Sequence, residues 1–254
     1  MNEIEKLREQ VWDTLREVDK FYDEIYQIIY APNRISKNDE SFKRAMLSFR
    51  SAYSIMKQKF HWIERESKDE SWQNERYFNH IQEVMRICLE EIPNPNLEKL
   101  LIALLHDSIE DISNFDYEVI KALYWKYVAE WVEHLSKKEW KRFLSEEESR
   151  ILKNLDTDSE KYQNIVSMAK QRRNKEYFEN MESIEQDDYL DVKFADRIHN
   201  LRTLDECDNE KIRRKIEETR KYFLKPAWER NPTAYYKILE EIERLKNTIK
   251  NSEN

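Results

Sequence analysis

The sequence predicts an all-α protein, and three observations carry that prediction. Apolar residues recur every three or four positions along most of the chain, the period of a helix with one buried face. No stretch of any length alternates apolar with polar residues as a half-buried strand does. Glycine is absent, although average usage of about 7% would place roughly 18 in a chain this long. A helical fold tolerates that loss better than a sheet, because asparagine can supply the left-handed turns.

Taken in order, Ile4, Leu7, Val11, Leu15, Val18, Tyr22, Ile25 and Ile29 describe one long amphipathic helix. It either packs on its own domain or offers a face to a second copy. Ala31-Pro-Asn-Arg34 breaks the chain, and Asn38-Asp-Glu-Ser41 provides N-caps for a helix striped by Phe42, Met46, Phe49, Tyr53, Met56 and Phe60. His61 ends that stripe and reads as structural, and the polar stretch from Glu64 to Glu75 reads as a loop. A helix from about Tyr77 to Glu90 turns Tyr77, Ile81, Val84 and Cys88 inward with His80 beside them, and Pro93-Asn-Pro95 stops it.

The stretch Leu100-Leu-Ile-Ala-Leu-Leu-His-Asp-Ser-Ile-Glu-Asp-Ile112 follows, in which an unbroken apolar run opens onto His106, Asp107, Glu110 and Asp111. A run with no polar face enters the interior and is expected to take its charged end with it. Buried carboxylates are costly without a positive partner. On a continuous helix His106 and Glu110 stack one turn apart, as do Asp107 and Asp111, so that this side of the rod wants a cation. A solvated helix end is the plain alternative in a chain with 52 Asp and Glu.

Downstream, Asp116 caps a helix running toward Lys137, Lys138 to Leu155 is a very polar helix, and Asp156 to Glu160 is a turn. The basic run Lys170-Gln-Arg-Arg-Asn-Lys175, before a helix bearing Tyr177 and Met181, is either a solvated face or a phosphate contact. Ala195-Asp-Arg-Ile-His-Asn-Leu-Arg-Thr-Leu204 places Asp196, Asn200 and Thr203 on one helical face, within a helix near Asp188 to Leu204. Further helices are predicted at Asn209 to Phe223 and Thr233 to Ile249.

His80, then His106-Asp107, then Asp196, in that order, resembles the HD-domain metal-dependent phosphohydrolases. The HDxxED and ADRxHNxRTL segments are similar, more narrowly, to the hydrolase domain of the RelA/SpoT homologues, which remove the 3'-pyrophosphate of guanosine tetraphosphate using Mn2+. Tyr77-Phe-Asn-His80, Val128-Ala-Glu-Trp-Val-Glu-His-Leu-Ser-Lys137, Glu218-Thr219 and Pro226-Ala227 resemble further segments of that family, so the likeness covers roughly Ala45 to Ala227.

The resemblance implies an HD-domain helical bundle with added terminal helices: an extension over 1–40, the hydrolase domain over 41–230 and a final helix over 231–254. It implies His80, His106, Asp107 and Asp196 as metal ligands, Glu110 and Asp111 as the catalytic acidic pair, and Asn200, Thr203, Lys137 and Arg65 as substrate contacts. His199 is expected behind the ligands or in the scaffold. Two imidazoles with two carboxylates suit Mn2+, Fe2+ or Zn2+ better than Ca2+, and manganese follows from the family. One departure bears on substrate. The family's Arg-Lys pair, nine and eight residues before the first metal histidine, falls on Ser71 and Trp72, with Arg65 and Lys68 as stand-ins on a longer loop. The family's synthetase and regulatory domains have no counterpart, so a small hydrolase-only form is expected.

Composition bounds the rest. A net charge of −8 argues against a general nucleic-acid surface, which needs a broad excess of Lys and Arg, but leaves room for a small anionic nucleotide. Two distant cysteines, Cys88 and Cys207, read as reduced thiols. With no signal-peptide core and no apolar run of membrane-spanning length, a cytoplasmic protein is expected. The terminal helices offer surfaces for a homodimer. The leading expectation is a (p)ppGpp pyrophosphohydrolase. The alternatives are an HD phosphohydrolase of another nucleotide, such as a phosphorylated dinucleotide cofactor, or a non-catalytic nucleotide-binding or antitoxin-like partner.

Overall fold

The computed structural model describes residues 3–61, 63–68, 74–205 and 207–252. In chain order the elements are α1 (Glu3–Ile25), α2 (Glu40–Lys59), β1 (Glu64–Lys68), β2 (Asn74–Arg76), α3 (Tyr77–Arg86), α4 (Leu97–Leu105) and α5 (Ser108–Asp111). They continue with α6 (Tyr117–Leu123), α7 (Lys126–Leu135), α8 (Glu146–Leu152), α9 (Glu160–Glu182), α10 (Asp187–Arg202), α11 (Asn209–Tyr222), α12 (Leu224–Arg230) and α13 (Pro232–Ser252). The fold is all-α apart from one short antiparallel ribbon. The chain forms two compact units, one of residues 1–135 with 187–254, the other of residues 136–186. No described helix is long and apolar enough to cross a membrane.

In the larger unit, α4 is the axis. Leu100, Leu101, Ile102, Ala103, Leu104 and Leu105 are all fully buried, because α2, α3, α7 and α10 pack around the helix. Each large aliphatic side chain so buried contributes about 1.5–3 kcal/mol. Asn96 begins the helix by accepting from the Lys99 backbone amide at 2.7 Å. A second axis is α10, which packs on α3, α4 and α13. Both long arginines of its motif serve the scaffold. Arg202 grips Glu91 through two bonds of 2.8 and 2.9 Å and also donates to Glu241. Arg197 donates to Glu218 and lies 4.2 Å from the centre of the Phe223 ring. A buried ammonium, Lys99, joins α4 to α10 through Asp191 at 2.6 Å and is also bonded to the Pro93 and Asn94 carbonyls. Such a buried pair survives because its remaining groups are hydrogen-bonded, here including Asn231 to Asp191.

The first helix lays Val18, Phe21 and Ile25 into the interior against α2. Tyr53 and Lys57 of α2 reach back to Glu17 at 2.9 and 2.6 Å. Within the smaller unit, Ser145 and Glu148 form a capping box at the start of α8. Arg172 of α9 holds the Glu148 carboxylate through two bonds of 2.7 and 2.8 Å.

Several expectations need correction. The stretch read as a loop from Glu64 contains the two-stranded ribbon, pairing Glu64 with Arg76 and Lys68 with Asn74. Its ladder rests on backbone bonds, so a polar sequence without period-two alternation carries no sign of it. Tyr77 N–H donates to the Ile63 carbonyl at 2.9 Å, tying the ribbon to the start of α3. The helix expected from Asp116 toward Lys137 is two helices, broken at Tyr124, whose backbone leaves the helical region at φ −121°, ψ −83°. Lys138 to Leu155 is a single 3-10 turn, Trp140–Phe143, followed by the short α8. The basic run Lys170 to Lys175 lies inside α9 rather than before a helix. Asparagine does supply left-handed turns, at Asn94 (φ 54°) and Asn114 (φ 60°), and Arg34 takes a third (φ 58°).

Candidate metal centre

The continuous helix expected through His106 and Asp111 is interrupted where the chemistry begins. α4 ends at Leu105, Asp107 stands at φ −100°, ψ 1°, and a new turn, α5, starts at Ser108. Two side chains take over carbonyls of the preceding turn: His106 Nδ1 is 2.7 Å from the Ala103 oxygen, and the Ser108 hydroxyl donates to the Leu105 oxygen at 2.6 Å. Local side-chain bonds of this kind compete with the helix ladder. The bridge conformation at Asp107 is one that active-site residues often adopt.

Around this break three helices meet. His80 of α3 and His106 are both buried, with their Nε2 atoms 3.3 Å apart. From His80 Nε2 the Asp196 carboxylate of α10 is 3.4 Å away and that of Asp107 is 3.7 Å away. His106 Nε2 lies 3.0 Å from Asp107. Ligand atoms of His80, His106 and Asp196 all fall within 4.8 Å of one another, close enough to share one ion.

The donor chemistry fits a divalent cation. Because a carbonyl oxygen cannot donate, the contact to Ala103 fixes the proton on His106 Nδ1 when the ring is neutral, leaving the Nε2 lone pair toward the cluster. Burial by itself would push Asp196 up, but Lys193 and the two imidazoles hold its carboxyl well below the usual range; Asp107 is held low in the same way by His106 and His80. Burial likewise lowers the His106 imidazole, and the opposing charges of Asp107 and Asp196 with the Ala103 carbonyl bring it up to about 9. A cluster that holds a proton on His106 in this way is one a metal ion would stabilise in its place.

Three further side chains complete the surroundings. The Tyr77 hydroxyl donates to Asp107 at 2.8 Å while its ring stacks on Phe60 at 4.9 Å. Lys193, buried one turn before Asp196, places its ammonium 3.5 Å from that carboxylate. His199 Nδ1 lies 2.8 Å from Nδ1 of His80. Lys193 went unread in the sequence, although a charge three residues before Asp196 amid apolar neighbours marks the same helical face.

Asn200 donates to Asp196 at 2.5 Å. The Thr203 hydroxyl bonds back to its own helix, at His199 and Asn200. Glu110 and Asp111 are exposed. Partial desolvation of its carboxyl and the charge of Asp107 raise the Asp111 pKa. Lys137 belongs to the smaller unit, with its ammonium 5.4 Å from the Tyr177 ring centre. Arg65 and Lys68 lie on β1 with side chains outside the described residues, as are Ser71 and Trp72 altogether.

Helices that carry His, His-Asp and Asp in this order meet around one point, and the helical fold that brings them together is shared with solved structures. A solved structure that shares it is that of a metazoan orthologue of SpoT, described as hydrolysing ppGpp and playing a role in starvation responses. The two align with a TM-score of 0.56 at 19% identity, over 78% of this chain and 94% of that one. No family model matches the sequence. A search of curated proteins likewise finds no match.

Proposed function

We propose that this protein is a Mn2+-dependent pyrophosphohydrolase that removes the 3'-pyrophosphate of guanosine tetra- or pentaphosphate. The observation that carries the reading is the convergence of His80 and His106 Nε2 with the carboxylates of Asp107 and Asp196. Those four side chains would hold the ion. Bound there, it supplies positive charge for phosphate oxygens and lowers the pKa of water. Tyr77 holds the Asp107 carboxylate in place. Lys193 brings a buried positive charge beside Asp196, suited to a phosphate-rich substrate. Glu110 and Asp111 orient the attacking water and move its proton, and the raised Asp111 pKa suits a group that must carry a proton for part of the cycle. Asn200 and Thr203 contact the nucleotide. The ppGpp hydrolysis described for the structural neighbour supports this substrate class.

A second reading, hydrolysis of another phosphorylated nucleotide, is favoured by Ser71 and Trp72 standing where the family carries its Arg-Lys pair. One assay separates them. With Mn2+ supplied and a nucleotide panel offered, pyrophosphate release from ppGpp is expected, and orthophosphate release from a different nucleotide would favour the second reading. Glu110→Ala is expected to lower kcat by about 10²–10⁴-fold. Unchanged turnover in that variant contradicts the catalytic assignment.

A further inference from the structure

We propose that His199 is a positioning residue: its Nδ1 accepts a hydrogen bond from Nδ1–H of His80, fixing the tautomer that leaves His80 Nε2 free for a metal ion. The inference rests on the metal-centre reading above. Both rings are buried, at 2% and 6% exposure, so neither nitrogen is readily satisfied by water. The contact joins α3 to α10 at 2.8 Å, with ring centres 4.8 Å apart.

The direction of that bond follows from what each nitrogen faces. A neutral imidazole has one N–H donor and one acceptor. If His199 donated, His80 Nδ1 would be the acceptor and the His80 proton would sit on Nε2, the atom that faces His106, Asp107 and Asp196. That proton would occupy the lone pair a metal needs. With His80 donating, Nε2 is bare, and the His199 proton sits on its own Nε2. The second metal histidine has the same arrangement with a different acceptor, since His106 Nδ1 faces the Ala103 carbonyl. Each imidazole of the cluster therefore has an acceptor behind it, one from the backbone and one from a side chain. Partners of this kind fix ring orientation and raise ligand basicity, and their loss commonly costs 10–100-fold in metal affinity.

The side-chain acceptor is the one that can be changed. In His199→Asn the amide Oδ1 takes the place of Nδ1 and still accepts, whereas His199→Leu fills the space without an acceptor. The probe is Zn2+ alone, which is diamagnetic and suits the same mixed ligand set. In the 15N-labelled, Zn2+-loaded full chain, a scalar coupling between the Nδ1 atoms of His80 and His199, with the proton on His80, is expected. Zn2+ affinity measured by competition with a chelating dye is expected to fall on the order of 10–100-fold in His199→Leu and to stay near the unmutated value in His199→Asn. A proton on His199 Nδ1, the absence of the coupling, or equal affinity in His199→Leu and the unmutated chain overturns the proposal. So does an equal loss in both variants when both melt like the parent. Should His199→Leu fail to fold, the coupling in the unmutated chain decides. A protein that shows the coupling and the predicted affinities yet cleaves no nucleotide supports the role of His199 and removes only the hydrolase reading.

Discussion

Asp107 shows how much one residue's backbone decides here. At φ −100°, ψ 1° it turns the chain out of α4, so that its carboxylate reaches both imidazoles instead of lying along a continuous helical stripe. The His106 imidazole that it helps raise to about 9 has a consequence for binding. Near neutral pH the metal-free site holds that proton, and ligation needs the neutral ring, so metal entry expels it. Mn2+ affinity is therefore expected to climb by up to about tenfold per pH unit from about pH 7 toward about 9 and then level off. Calorimetry in buffers of differing ionisation enthalpy counts the released protons, and a pH-independent affinity contradicts the assignment of His106. The side chains that meet at this point were legible in the sequence as a candidate set, because the order of their motifs, on which the family resemblance rests, survives in one dimension. The contacts behind them were not. His80 and His199 are 119 positions apart, and the bond between them is a fact of packing that no spacing encodes.

Among the elements, the helical period locates α2, α3, α10, α11 and α13 to within a few residues of their ends. It misses the ribbon and the breaks at Asp107 and Tyr124 for a common reason. Each depends on which backbone groups find partners, and period reports only which faces are apolar. The junction of α10, α13 and the turn Ile87–Glu91 at the end of α3 can be tested directly. The Arg202 guanidinium, and to a lesser degree the Lys237 ammonium, hold Glu91 down from 4.5 to about 2 against the upward push of burial. A depressed carboxylate stabilises the fold fully above its unfolded pKa, and that contribution is lost as pH falls from about 4.5 through about 2. With the Glu91 side chain 26% exposed, solvent screening reduces the contribution to about 2 kcal/mol. Urea denaturation of Glu91→Gln is expected to show a deficit of that order at neutral pH that closes as pH falls toward about 2. A deficit that is absent at neutral pH, or constant with pH, contradicts this account of the junction.

At the scale of the molecule, three helices distant in sequence are held around one point by a core of uninterrupted aliphatic residues on α4 and by buried polar ties such as Lys99 to Asp191. An ion that bridges those helices binds the folded chain and not the unfolded one. At 100-fold above Kd it stabilises by about 2.7 kcal/mol, which for a domain of this size is a rise of about 5–10 °C in Tm. Chelation is expected to reverse the shift, and Asp196→Asn to abolish it, as read by thermal denaturation with and without Mn2+. The helical architecture was visible in the periodicity from the start, and the separate packing of residues 136–186 was not, because no proline or glycine lies between residues 96 and 225 to mark a linker.

The most direct test of the shared centre is the anomalous scattering of manganese in crystals grown with Mn2+. One peak within coordination distance of His80 Nε2, His106 Nε2 and the Asp107 and Asp196 carboxylates is predicted. Ordered crystals with no peak there, or with His80 turned away from an ion held elsewhere, would contradict it.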